Sequence, residues 1–237
     1  MSALLVFGAN GYIGLETLKN IDAETKIGVD YNNSNLKNIQ TSKTYTFNFD
    51  MTNPDNYNEL TIFLKKNNIW LDKIVFCQGI NPMDNFFTSN FTSFNNTINT
   101  NLVSVFIGLK KLYEFFNDSV SIVILASQNG VVGHEDRIDY GCSKAALIQL
   151  VKNLSLDFAK YSEKDIKVNT LSPTYVSNNS NKEFFKSIKG KKLKKNIPFN
   201  SILEVKDVIN GVDFLLSSSS LSMRGQNLIL DYGYTIK

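Results

Sequence analysis

The chain has 237 residues, 43% of them hydrophobic and 20% charged, with a net charge of +3. That is enough chain to bury one full-sized core and too little for two, and the charge is too small to imply a nucleic-acid partner. No apolar run reaches the 18 residues of a membrane span, and Met1–Phe7 lacks the basic region of a signal peptide. Cys77 and Cys142 have neither metal nor redox spacing, so a single globular domain (1–237) in a reduced cytoplasm, without a metal centre, is expected.

Leu4–Phe7 reads as a short apolar strand. The turn Gly8-Ala9-Asn10-Gly11-Tyr12-Ile13-Gly14 follows, then a helix from Leu15 to about Ile21. Strand, glycine turn and helix together describe a phosphate-binding unit, because glycines let the backbone approach a pyrophosphate and the helix N-terminus faces its charge. Lys26–Val29 is the next strand, ending at Asp30. A carboxylate there accepts hydrogen bonds from adenosine ribose hydroxyls and repels a 2′-phosphate, which favours NAD over NADP. Tyr45–Phe49 alternates and ends at Asp50-Met51-Thr52; Tyr57–Asn67 has helical periodicity. Lys73–Phe76 is a continuous apolar strand of the buried parallel type, followed by Cys77-Gln78-Gly79.

The stretch 80–96 reads as a polar-aromatic loop and Ile98–Phe116 as one long amphipathic helix. Asn101 is a poor mid-helix residue and asks for a reason. Ile122–Leu125 is a strand leading to Ser127, and a loop over 128–139 leads to Tyr140 and the helical pattern Ala145–Ala159. Tyr140 and Lys144 are one helical turn apart, so the ammonium is expected to lower the phenol pKa from about 10 and fit it for proton exchange. Ile166–Pro173 is a further strand. The stretch of about 177–197 carries Lys182, Lys186, Lys189, Lys191, Lys192, Lys194 and Lys195 against Glu183 alone. A solvated helix face accounts for such a run, and so does a basic lid over an anionic substrate. A helix from Glu204 to Leu216 and a strand within Gly225–Gly233 complete the alternation of strands and helices, which implies an α/β doubly wound, mostly parallel sheet with helices on both faces.

Ser127 before Tyr140-Gly141-Cys142-Ser143-Lys144, Asn101-Leu102-Val103-Ser104-Val105-Phe106, and the closing Gln226–Gly233 resemble the classical short-chain dehydrogenases/reductases over essentially the whole chain. The resemblance implies a single-domain Rossmann fold and a cytoplasmic NAD(H)-dependent oxidoreductase interconverting a ketone and a secondary alcohol. It assigns catalysis to Ser127, Tyr140, Lys144 and Asn101, with Asn101 holding a relay water against Lys144. It assigns NAD binding to Gly8, Asn10, Gly11, Tyr12, Ile13, Asp30, Asp50, Met51, Cys77, Gly79, Tyr140, Lys144, Pro173 and Val176. It further implies a homotetramer or homodimer and a small-molecule substrate; the lysine run points to an anionic or carrier-linked one, and the small net charge and lack of an apolar span to no nucleic-acid or membrane partner.

Four departures stand against the family pattern. Tyr12 replaces a turn glycine, Cys77-Gln78 replace asparagines, Thr174 replaces the glycine after Pro173, and Asn178 replaces a threonine. The spacing Gly8, Gly11, Gly14 is similar to the extended members of the family. That keeps open a nucleotide-sugar epimerase or dehydratase with tightly held NAD, although such proteins carry a further substrate domain. The departures also admit a dinucleotide-binding scaffold without turnover. His134 lies in the loop before Tyr140 and reads as a surface residue.

Overall fold

A computed structural model describes residues 2–32, 34–39 and 42–237. Seven strands form one parallel sheet among these residues: β1 Ala3–Phe7, β2 Thr25–Asp30, β3 Thr44–Asn48, β4 Leu71–Phe76, β5 Phe116–Leu125, β6 Asp165–Pro173 and β7 Asn227–Leu230. Their order is β3-β2-β1-β4-β5-β6-β7, so the winding reverses between β1 and β4 and opens a crevice at their carboxyl ends.

The period of two along a strand divides the core. Ala3, Leu5 and Phe7 of β1 face a cluster with Leu60, Leu64, Leu109, Leu112, Leu147 and Val151. Leu4 and Val6 face the other way, toward Leu18, Ile21, Val208 and Val212. Burial on both faces is why the central strands are uninterrupted apolar runs. Helices α2 (Asn58–Lys66), α4 (Ser104–Leu112) and α5 (Ile138–Tyr161) supply the first layer. Helices α1 (Tyr12–Asn20) and α8 (Val205–Leu216) supply the second.

Three expectations need correction. Residues 80–96 are not all loop: α3 spans Phe91–Ile98, capped by the Asn90 side chain, which accepts from Ser93 N at 3.0 Å. The long helix expected over 98–116 is interrupted by a π-turn at Asn99–Val103, and its end at Phe116 already belongs to β5. The first helix begins at Tyr12, not Leu15, with Gly11 as its N-cap. In the lysine-rich stretch, α6 (Lys182–Lys186) and α7 (Ile188–Lys195) form two short helices, with the Ser187 hydroxyl accepting from Gly190 N at 3.1 Å. No described helix is long and apolar enough to cross a membrane.

Candidate active site

Gly8 ends β1 with φ +69°, a left-handed conformation, and a side chain there would stand 2.4 Å from Gln78 N. A side chain on Gly14 would stand 2.1 Å from Gly8 O, so α1 packs directly on the turn. Asp30 Oδ2 accepts from Asn10 N at 2.9 Å, and Oδ1 accepts from Asn32 N at 3.1 Å. The β2 carboxylate therefore braces the turn it would share with a ribose. Asp50 Oδ1 accepts from Thr52 N and Oγ1 at 2.9 and 2.7 Å.

Gly8, Asn10, Gly11, Asp30, Asp50, Met51, Cys77 and Gly79 all line one crevice of about 540 Å³ at the switch point. Tyr12 stands 42% exposed as the first residue of α1, and Ile13 packs into the second core cluster; neither lines the crevice. Pro173 ends β6, two strands from β4. Val176 bridges to Leu203, and its carbonyl accepts from Asn181 Nδ2 at 2.8 Å. The Asn178 side-chain oxygen is occupied by Ser180 and Asn181, so it caps its own turn.

Gln78, where the family carries asparagine, is buried. Its Nε2 donates to Ser104 Oγ at 2.9 Å, while its Oε1 is buried with no partner among the described residues. An orphaned acceptor in a crevice whose glycine cradle a Cβ would fill fits a bound nucleotide.

Ser127, Tyr140, Lys144 and Asn101 converge beyond the end of β5. Ser127 is buried, and its hydroxyl lies beside the Tyr140 phenol and favours its ionised form. Lys144 is also buried; its Nζ donates to Leu125 O at 2.6 Å and lies 5.6 Å from the Tyr140 ring centroid. Asn101 occupies the π-turn, fully buried. Its Oδ1 accepts from Ile80 N at 2.8 Å, and its Nδ2 donates to Ile80 O at 3.0 Å and Ser143 Oγ at 2.9 Å. A side chain on Gly79 would stand 3.3 Å from Asn101 Oδ1 and 3.5 Å from Lys144 Nζ, so this glycine lets amide and ammonium face one another.

The electrostatics correct the expected tuning. Burial pushes the Tyr140 phenol above its usual 10, opposed by the Ser127 hydroxyl and then by the Arg137 guanidinium. Burial also brings Lys144 down to about 8. Desolvation thus outweighs the pairing that helical spacing implied, and the charge that favours the phenolate belongs to Arg137. Burial pushes the Cys77 thiol up to about 12, so it packs as a neutral group.

Several residues around this cluster escaped the sequence reading. The buried Asp139 carboxylate accepts from Thr97 Oγ1 at 2.8 Å and from Tyr140 N at 2.7 Å, tying the start of α5 to α3. Its place in the first turn of a helix was the available signal. The buried Gln128 accepts from Thr174 Oγ1 at 2.5 Å, so Thr174 clasps the loop after Ser127. His134 is not a free surface residue: its Nε2 is hydrogen-bonded to the Tyr175 hydroxyl at 2.9 Å. Among the described residues no three His, Cys, Asp or Glu side chains gather into a metal site.

Comparison with known proteins gives the family. The sequence pattern of the enoyl-(acyl carrier protein) reductase family matches residues 23–235. An NAD-dependent glycerol dehydrogenase of Listeria innocua is 27% identical over 201 residues, covering 84% of this chain and 78% of that protein. Carbonyl reductase [NADPH] 2 of Sus scrofa is 28% identical over 169 residues, covering 69% and 68%. A short-chain dehydrogenase family protein of Francisella tularensis superposes with a TM-score of 0.87 at 25% identity, over 100% of both chains. The chain belongs to the classical short-chain dehydrogenase/reductase family, oxidoreductases acting on CH–OH groups.

Proposed function

We propose that this protein is an NAD(H)-dependent oxidoreductase that interconverts a ketone and a secondary alcohol on a small anionic or carrier-linked substrate. The convergence of Ser127, Tyr140, Lys144 and Asn101 next to the nucleotide crevice carries the reading. The chemistry supplied by a bound nicotinamide is hydride transfer. In reduction, the Tyr140 hydroxyl gives its proton to the carbonyl oxygen; in oxidation, the phenolate takes the alcohol proton. The Ser127 hydroxyl donates to the same oxygen and stabilises the charge that grows there. Lys144 would hold the ribose hydroxyls of the bound nicotinamide nucleotide. The Asn101 amide is committed to Ile80 and Ser143, so it positions the β4 exit against α5 beside Lys144.

Asp30 at the end of β2 supports NAD over NADP. Residues 177–197 act as a lid whose lysines attract anions through a long-range field. The groove between α4 and α5, bordered by Phe106, Leu109 and Tyr161, supports a homodimer or homotetramer.

Calorimetric titration with NAD and NADP tests the cofactor assignment. Asp30→Ala is expected to weaken NAD binding by about 10- to 100-fold, the value of a lost charge-assisted hydrogen bond. NADP is expected to bind poorly to the wild type. Tyr140→Phe is expected to keep NAD binding and abolish turnover in a screen of hydroxy and oxo compounds. Failure of the wild type to bind either dinucleotide refutes the reading.

A further inference from the structure

Of the 25 basic residues, only Arg137 and Arg224 are arginines. Arg224 pairs with Asp165, Nη1 to Oδ1 at 2.6 Å. Arg137 has no carboxylate partner among the described residues. Its Nη1 donates to Asp136 O at 2.6 Å, and its Nε is buried with no partner among the described residues. The Nε/Nη2 edge, one of the two edges of a guanidinium that match both oxygens of a carboxylate, is thus uncommitted. A buried donor without a partner is destabilising, which is the mark of a group completed by a ligand.

The backbone holds Arg137 in place from both sides. Asp136 has φ +55° and Met83 has φ +65°, both left-handed. These two strained turns clasp each other: Asn85 Nδ2 donates to Asp136 Oδ1 at 3.0 Å, and Ile138 N donates to Asp84 O at 3.2 Å. Arg137 immediately precedes α5, three positions before Tyr140, and lines a cavity of about 440 Å³ with Phe86, Val132 and His134. The guanidinium stands close enough to the Tyr140 and Tyr175 phenols to favour their ionised forms.

We propose that Arg137 binds a carboxylate of the substrate, its side chain turning so that the Nε/Nη2 edge faces the cavity, and so selects hydroxy and oxo acids whose carboxylate lies near the reacting carbon. The inference rests on the assignment of Ser127, Tyr140 and Lys144 as the reacting site. A guanidinium edge offers two parallel donors, which the two oxygens of one carboxylate fill completely. Lys189 and Lys192 line a neighbouring cavity of about 460 Å³ with His134 and Tyr175, but both are exposed, and solvent and salt weaken them as contact groups.

The test uses the full chain saturated with NAD, titrated calorimetrically with malonate and with neutral malonamide. Malonate is expected to bind and malonamide not. Arg137→Lys is expected to raise the malonate Kd on the order of tenfold, because an ammonium lacks the planar fork. Arg137→Gln is expected to remove binding, and the Lys189→Gln/Lys192→Gln pair to change it less than about threefold at physiological salt. NAD binding measured on the same samples reports that each variant is folded and separates the two readings. NAD binding without malonate binding overturns the Arg137 assignment and leaves the enzyme reading standing; absence of NAD binding overturns the enzyme reading itself. Equal malonate affinity in wild type and Arg137→Gln, or malonate binding lost in the lysine pair and kept in Arg137→Gln, also overturns the assignment.

Discussion

At the Tyr140 hydroxyl, burial and the polar neighbours pull in opposite directions. Burial disfavours the phenolate; the Ser127 hydroxyl and the Arg137 charge favour it, and the balance still lies above the usual pKa of 10. Alcohol oxidation needs the phenolate and ketone reduction needs the phenol. The oxidation rate is therefore expected to keep climbing with pH through about 10, while reduction holds its rate up to that pH. Ser127→Ala removes the hydroxyl that does most to favour the phenolate. The rising limb is expected to move to still higher pH, and turnover to fall by about 10²–10³, as when one oxyanion donor is lost. Initial rates in both directions from pH 6 to 10.5 check this; an oxidation plateau beginning near pH 7 contradicts it.

The π-turn at Asn99–Val103 brings Asn101 inward, where its amide joins the β4 exit at Ile80 to α5 at Ser143. Asn101→Ala leaves Ile80 N and O and Ser143 Oγ without these partners. The expected loss is about 2–4 kcal/mol of stability, from more than one buried group left unsatisfied, together with a fall in kcat as Lys144 loses its alignment. Urea unfolding and steady-state kinetics measure the two effects, and NAD affinity should change much less. The reason an asparagine sits mid-helix was partly legible, because Asn competes poorly in a regular helix and so advertises an irregular one. The central strands were legible for a different reason: residues such as Ile74–Phe76 and Ile122–Leu125 are buried on both faces. Helix α3 was hidden because Phe91 and Phe94 are set among Thr, Ser and Asn, which have low helix propensity, and its packing on α5 stabilises it instead. The start of β5 was hidden by Asn117, Asp118 and Ser119, where the strand emerges toward solvent. Within the site, Ser127, Tyr140 and Lys144 are joined by local spacing. Gln128 finds Thr174 across 46 residues and His134 finds Tyr175 across 41, pairings that no local pattern encodes. The direction of the Tyr140 shift was equally hidden, since spacing reports which charges are near but not how dry the site is.

Across the whole molecule, buried ionisable groups shape how stability depends on pH in the cofactor-free protein. Lys144 has a folded pKa of about 8 against about 10.5 unfolded, so between those values the unfolded chain binds the extra proton. Stability therefore rises with pH there, by up to about 1.4 kcal/mol per pH unit for one such group. Lys167, also buried and lowered, adds in the same direction. Cys77 works oppositely: its thiol stays protonated in the fold to about 12 but ionises from about 9 when unfolded, so stability falls as pH rises through that window. The raised phenols of Tyr57, Tyr140 and Tyr175 add to the fall above about 10. The melting temperature is accordingly expected to pass through a maximum near pH 9. Lys144→Met removes the buried cation and should flatten the rise between pH 8 and 9. Cys77→Ala should delay the fall above pH 9. Thermal melts of the three proteins at pH 7, 8, 9 and 10.5 decide it. A wild-type curve that falls steadily from pH 7, parallel to that of Lys144→Met, would mean that Lys144 keeps its proton in the fold and that its contact with Leu125 O outweighs the desolvation argued here.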